Sequence, residues 1–167
     1  MNPAALLVAV GEISLRELYE SIDWSIIVLL GALIPVGQAL ETTGGSAVIA
    51  GPILGLQDTL PVWCLLALLM VVTMLLSDAM NNAATAVLMA PIGITVAQGL
   101  DASIDPFLMA VAIGASSTYL TPIGHQSNLL VMGPGGYQFG DYWRLGLPLD
   151  LIIVTVAVPM ILIVWPL

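Results

Sequence analysis

The chain contains no lysine and two arginines, Arg16 and Arg144, and charged residues of both signs make up only 8% of its 167 positions. So little charge cannot cover the surface of a soluble globular domain. Cysteine is nearly missing too: the single Cys64 lies in an apolar run, where it reads as a small buried hydrophobe. One thiol builds neither a disulfide framework nor a metal cluster. A net charge of −9 suggests repulsion from anionic lipid and nucleic acid, but most of the carboxylates fall in connecting segments as solvated caps, so no partner is read from the charge; no nucleic-acid partner is expected. What fills the chain instead is apolar sequence, 59% hydrophobic, with a mean hydropathy of +1.07. That composition predicts a single all-α integral membrane domain over residues 1–167, with several helices in the lipid bilayer.

Residues 1–11 are apolar but have no basic leader, and about ten apolar residues are too few to cross roughly 30 Å of hydrocarbon. They read as the tail of a longer helix, and the whole chain as the C-terminal part of something larger. Residues 14–23 place Leu15, Leu18, Tyr19 and Ile22 at helical spacing in a polar context, which predicts a short surface helix. Residues 24–40 predict a span, kinked at Pro35 and Gly37. Residues 43–58, rich in glycine, suit an interfacial helix.

Residues 61–100 form two apolar legs around the polar knot 78–85, as either two spans or one re-entrant hairpin. Arginine placement favours the hairpin, which puts Arg16 and Arg144 on one side of the membrane and Glu41, Asp58, Asp101 and Asp105 on the other. Residues 106–132 predict a broken span, 133–143 an interfacial loop, and 148–167 the last span, mildly kinked at Pro159. Trp24, Trp63, Trp143 and Trp165 all fall near predicted ends of membrane segments, as the interfacial preference of indole requires.

The second polar knot, residues 114–128, reads Gly-Ala-Ser-Ser-Thr-Tyr-Leu-Thr-Pro-Ile-Gly-His-Gln-Ser-Asn. Pro122 removes a backbone donor and restricts Thr121, while Gly114 and Gly124 lower the cost of breaking a helix. The helix begun near Pro106 is therefore expected to stop near Thr118 and to resume near Leu129. Unwound backbone at membrane depth is tolerated where it is buried in protein or lines a watery cavity. A helix starting near Ala83 is expected to offer free backbone N–H groups to an anion. Carbonyls released at residues 116–118 are expected to suit a small cation such as sodium. Holding an anion and a cation together in this way is the physical core of cation-coupled symport. Taken singly, such residues also serve as glue between membrane helices, at about 0.6 kcal/mol each.

Asn81-Asn82-Ala83-Ala84-Thr85-Ala86, with Pro91-Ile92 after it, resembles the second Ser-Asn-Thr hairpin motif of the divalent anion/sodium symporters, citrate transporter-like members of the ion transporter superfamily. Thr121-Pro122-Ile123-Gly124-His125-Gln126-Ser127-Asn128 resembles that family's second Thr-Pro loop, and Gly133-Pro134-Gly135-Gly136-Tyr137 with Asp141 and Gly146-Leu147-Pro148 is similar to its permeases. The resemblance implies the second inverted repeat of an elevator-type transporter, with a re-entrant hairpin and a broken helix. It further implies a homodimer, a first repeat supplied by an N-terminal half missing from these residues, and uptake of sulfate or a dicarboxylate with sodium. Carried over by position, Asn82, Ala83, Thr85, Thr121 and Pro122 are substrate-binding, and Asn81, Ser117, Gly124 and Asn128 are cation-binding. Asn81 stands where the motif has serine and Ala83 where it has threonine. His125 is placed to relay a proton, which keeps proton coupling open beside sodium coupling; no other cofactor is implied.

The location expected is the cytoplasmic membrane of a bacterium or archaeon. Two rival readings stand beside transport: a non-transporting membrane subunit or remnant, and an intramembrane enzyme using Asp78 and His125. The enzyme needs a second carboxylate or a metal triad, which the apolar segments do not supply.

Overall fold

A computed structural model of the chain describes Arg16 and residues 24–167; the surface helix expected at residues 14–23 lies, apart from Arg16, outside the described residues. The chain divides into two compact units between Ala32 and Leu33. That division falls inside the first described helix, α1 (Trp24–Thr42), which continues through Pro35. The second unit contains α2 (Gly45–Leu54), α3 (Val62–Ser77), α4 (Asn82–Gly99), α5 (Ile104–Ser116), α6 (Gln126–Met132), a 3-10 turn (Phe139–Asp141) and α7 (Tyr142–Val164). All of the regular structure among the described residues is helical.

The centre of this unit is α5. It packs extensively against both α3 and α4, more than those two legs pack on each other. The reason lies in the sequence of its face. Phe107, Ala110, Val111, Gly114 and Ala115 recur at three- and four-residue spacing and are all buried. Small residues on that face let backbones approach closely. A Cβ on Gly114 would sit 2.8 Å from the Met70 carbonyl oxygen, and one on Gly93 of α4 would sit 3.3 Å from Val111. Leu65, Leu66, Leu69 and Met70 of α3 and Ile92 and Val96 of α4 complete the core around Phe107.

The helix α2 rests on α4 through Ser46, Ala50 and Ile53, a stripe of one buried residue per turn. It is shorter at both ends than the interfacial segment expected at 43–58, because the left-handed Gly44 (φ 75°) stands at its start and turns follow Leu54.

The last helix starts earlier than the sequence suggested. Gln138 and Asp141 close a capping box in which the Gln138 N–H donates to Asp141 Oδ2 at 2.8 Å, so ordered helix begins inside the expected loop. With the 3-10 turn, Phe139–Val164 forms a stretch of 26 residues, and its apolar 18-residue window has a mean hydropathy of 2.6 and is only 11% buried within the chain. Among the described residues it is the one helix long and apolar enough to cross a membrane; α2, α3 and α5 are shorter apolar helices. Its packed face carries Gly146, Asp150, Val158 and Ile161, while Leu145, Leu151, Val156 and Ile163 point outward. An outward face of that kind suits lipid or more protein, not water.

Candidate functional site

The turn between α3 and α4, residues 78–81, docks against the irregular segment 117–125 that separates α5 from α6. Each side of this contact is built by polar groups at helix ends. Ser77, the last residue of α3, is fully buried, and its hydroxyl donates to the Ala115 carbonyl at 2.6 Å; the same oxygen lies 3.2 Å from Asn82 Oδ1. Asp78, 5% exposed, accepts the Leu120 N–H on Oδ1 at 3.1 Å. The Thr121 hydroxyl donates to the Asp78 backbone carbonyl at 2.6 Å and accepts weakly from the Gly124 N–H at 3.3 Å. Glycine at 124 is required by this contact, since a Cβ there would lie 2.8 Å from Thr118 and 3.3 Å from the Asp78 Cα.

The segment itself is held by Asn128. Its Nδ2 donates to the Thr118 carbonyl at 2.9 Å and to the Thr121 carbonyl at 3.2 Å, and the Tyr142 hydroxyl donates to the Asn128 carbonyl at 2.6 Å. Ser117 is buried, and its hydroxyl donates back to the Ile113 carbonyl at 2.8 Å, closing the end of α5. Pro122 is buried in the middle of the segment.

The helix ends depart from the expectation of free groups. Helix α4 begins at Asn82, with Asn81 as its cap: Asn81 Oδ1 accepts the N–H groups of Ala83 at 2.8 Å and Ala84 at 3.4 Å. These amides are engaged, and the side chain that engages them is itself exposed. Of the carbonyls expected to be released at residues 116–118, that of Thr118 accepts from Asn128, and the Ala115 and Thr121 carbonyls on either side also have donors, though each oxygen retains a second lone pair. After the break, helix resumes at Gln126 instead of near Leu129, because the exposed His125 accepts the Ser127 N–H on Nδ1 at 3.2 Å and caps α6.

The fold thus brings Asn82, Thr121, Gly124 and Asn128 into one hydrogen-bonded contact together with Asp78. Thr85 lies elsewhere in its environment: it is fully buried within α4's packed face, and its hydroxyl has no partner. His125 is on the exposed rim. Two further residues were not among the site candidates of the sequence: Arg144, which there served only to orient the chain in the membrane, and Asp150. Arg144 lines a groove of about 710 Å³ with Tyr119, Asn128, Tyr137 and Tyr142, beside the broken segment. Asp150 lies within the apolar run of α7 yet is 9% exposed, and its Oδ1, like Asp78 Oδ2, is a buried oxygen without a partner. Asp150 is thus a second carboxylate within an apolar segment, against the expectation that the apolar segments supply none; the available signal was a carboxylate inside a membrane-length helix, four residues after a glycine.

Comparison with known proteins identifies the family of the chain. The family model described as citrate transporter matches residues 1–114 and again 62–167. The chain is 41% identical over 145 residues to an uncharacterized transporter of Synechocystis sp., covering 87% of this chain and 24% of that protein. It is 36% identical over 171 residues to the uncharacterized transporter YfbS of Escherichia coli, covering 99% of this chain and 28% of the relative. A sodium/sulfate cotransporter 2 of Chlamydomonas reinhardtii is 27% identical over 155 residues, 92% of this chain and 18% of its own length. The chain therefore spans about a quarter of the length of these two curated relatives.

Proposed function

This chain belongs to the citrate transporter family of membrane transport proteins, and we propose that it is the second of two inverted repeats in a cation-coupled secondary transporter for a small anion, sulfate or a dicarboxylate. The observation that carries the reading is the docked pair of helix interruptions, residues 78–81 against 117–125, tied by Ser77, Asp78 and Thr121. Helix interruptions are stable in a membrane only when protein or a watery cavity satisfies the freed backbone, and paired interruptions are the way transporters build mid-membrane sites.

In this reading residues 61–100 enter and leave by one face as a hairpin. An anion oxygen replaces the exposed Asn81 side chain at the Ala83 and Ala84 amides, exchanging one acceptor for another at the positive end of α4. Asn82 and Thr121 orient the anion, and Asn128, Ser117 and Gly124 shape the carbonyl-lined segment beside Pro122 that receives the cation. Arg144, in the neighbouring groove, adds a positive charge on the anion's approach. Thr85, fully buried, supports α4 from behind and does not contact the anion directly. The first repeat comes from an N-terminal half, two such proteins form a dimer, and the shared site moves across the cytoplasmic membrane as an elevator. The coupling ion is sodium, as the name of the Chlamydomonas relative says of that protein.

The test begins with the mass of the native product, detected in its own membranes with an antibody against residues 133–143. A mass well above 17.4 kDa is expected. A mass near 17.4 kDa favours a subunit or remnant. Uptake of labelled sulfate and labelled succinate by the native product in proteoliposomes is then measured with and without an inward sodium gradient. Absence of gradient-driven uptake of either anion overturns the proposal.

A further inference from the structure

Asp78 and Asp150 carry two buried carboxylate oxygens that nothing in the described residues satisfies, Asp78 Oδ2 and Asp150 Oδ1. The two side chains are 5% and 9% exposed. Their proximity follows from the register of α7. Gly146 and Asp150 are four residues apart and occupy one face of the helix. Gly146 sits directly against the Tyr119 carbonyl and the Leu120 nitrogen, and the Leu120 N–H is the donor that Asp78 holds. One turn further along the same face, Asp150 lies buried on the side of α7 that packs against the segment Asp78 holds.

Of the other titratable groups on these elements, Tyr119 borders this contact, with its carbonyl against Gly146. Cys64 is near the start of α3 and Asp105 in the first turn of α5, at the ends away from the break. Tyr119 is half-buried and His125 exposed in the broken segment, while Tyr142 and Arg144 precede Gly146 on α7, with Arg144 exposed toward the groove. Among the described residues no group of three or more His, Cys, Asp or Glu side chains is arranged to hold a metal ion. Two like charges removed from water and set near each other do not both stay ionised, and a proton is the smallest ligand that relieves them.

We propose that Asp78 and Asp150 are a proton-binding pair, sharing one proton taken from water and returning it during each cycle of the protein. Asp78 links this proton to the site, because its other oxygen holds the segment that carries Thr121 and Pro122. The role in coupling rests on the transport reading above; the binding of the proton does not.

The test is infrared difference spectroscopy of the purified native product, stepped from about pH 5 to about pH 9 in H₂O and D₂O. The wild-type protein is expected to show the C=O stretch of a protonated carboxylic acid that disappears with rising pH and shifts in D₂O. Asp78→Asn and Asp150→Asn are each expected to move the midpoint of that change toward acid by at least tenfold in proton concentration, and the double variant to abolish it. Absence of the band in the wild type, an unmoved midpoint in both single variants, or an unchanged band in the double variant each overturns the pair. The wild-type measurement requires no variant to fold. Transport without the band leaves the proposed function standing and sinks the pair, whereas the band without uptake does the reverse.

Discussion

Replacing Gly146 with alanine tests the contact that organises the site. The new Cβ would overlap the Tyr119 carbonyl oxygen and would lie 2.6 Å from the Tyr119 carbonyl carbon and 2.9 Å from the Leu120 nitrogen. All three are backbone atoms, so no side chain can swing aside. Ordinary contacts begin near 3.4 Å, so α7 must retreat from Tyr119 by more than about 0.8 Å, the difference from 2.6 Å for the carbonyl carbon with the oxygen nearer still, or the broken segment must yield. Overpacking of this kind costs about 1–3 kcal/mol. Thermal unfolding of the purified protein, followed by tryptophan fluorescence, measures the loss, and hydrogen exchange across residues 117–125 shows where it falls. Exchange is expected to quicken there, because the retreat loosens the covering of the Leu120 amide. Gly140→Ala provides the control, since a Cβ at Gly140 meets nothing within 4 Å, and it is expected to change stability by less than about 0.5 kcal/mol. Equal stability of Gly146→Ala and Gly140→Ala, with unchanged exchange, would refute the packing of α7 on the break.

Ser77→Ala removes the donor to the buried Ala115 carbonyl and is expected to cost about 1–3 kcal/mol in the same unfolding assay; a neutral result would mean that the carbonyl has another partner. Asn128→Ala deletes two donated bonds, to Thr118 and Thr121, for a total of about 1–3 kcal/mol. The sodium concentration needed for half-maximal uptake is expected to rise at least several-fold, and an unaltered sodium dependence would remove Asn128 from the cation side. His125→Gln keeps an acceptor near the Ser127 N–H that His125 Nδ1 now caps. The pH profile of uptake is expected to stay as in the wild type; a flattened profile would restore His125 as a proton relay.

The two polar knots are legible in the sequence because each coincides with a chemical reason for a helix to stop. At Pro122 the missing donor and the restricted Thr121 force the break, and the flanking residues are polar. What the break does with its groups is not legible. The expectation of free amides at the start of α4 failed because Asn81 folds back on them, a choice among side-chain rotamers that spacing does not reveal. The start of α7 moved upstream for a similar reason, a reciprocal cap between Gln138 and Asp141 that outweighs a glycine-rich, loop-like composition.

Composition by itself determined that the chain is an all-helical membrane protein, since so few charges and so much apolar surface are stable only with helices in lipid. Local chemistry determined where two of those helices are interrupted, because proline, glycine and helix caps act over a few residues. Only the tertiary structure decided that the interruptions meet, that Thr85 is hidden while Asn81 is open, and that Asp78 and Asp150, about seventy residues apart in sequence, are both buried with an unpartnered oxygen. These are long-range outcomes. They depend on how close small residues such as Gly114 and Gly146 let backbones approach, and that distance is a property of packed pairs of helices, absent from any one of them.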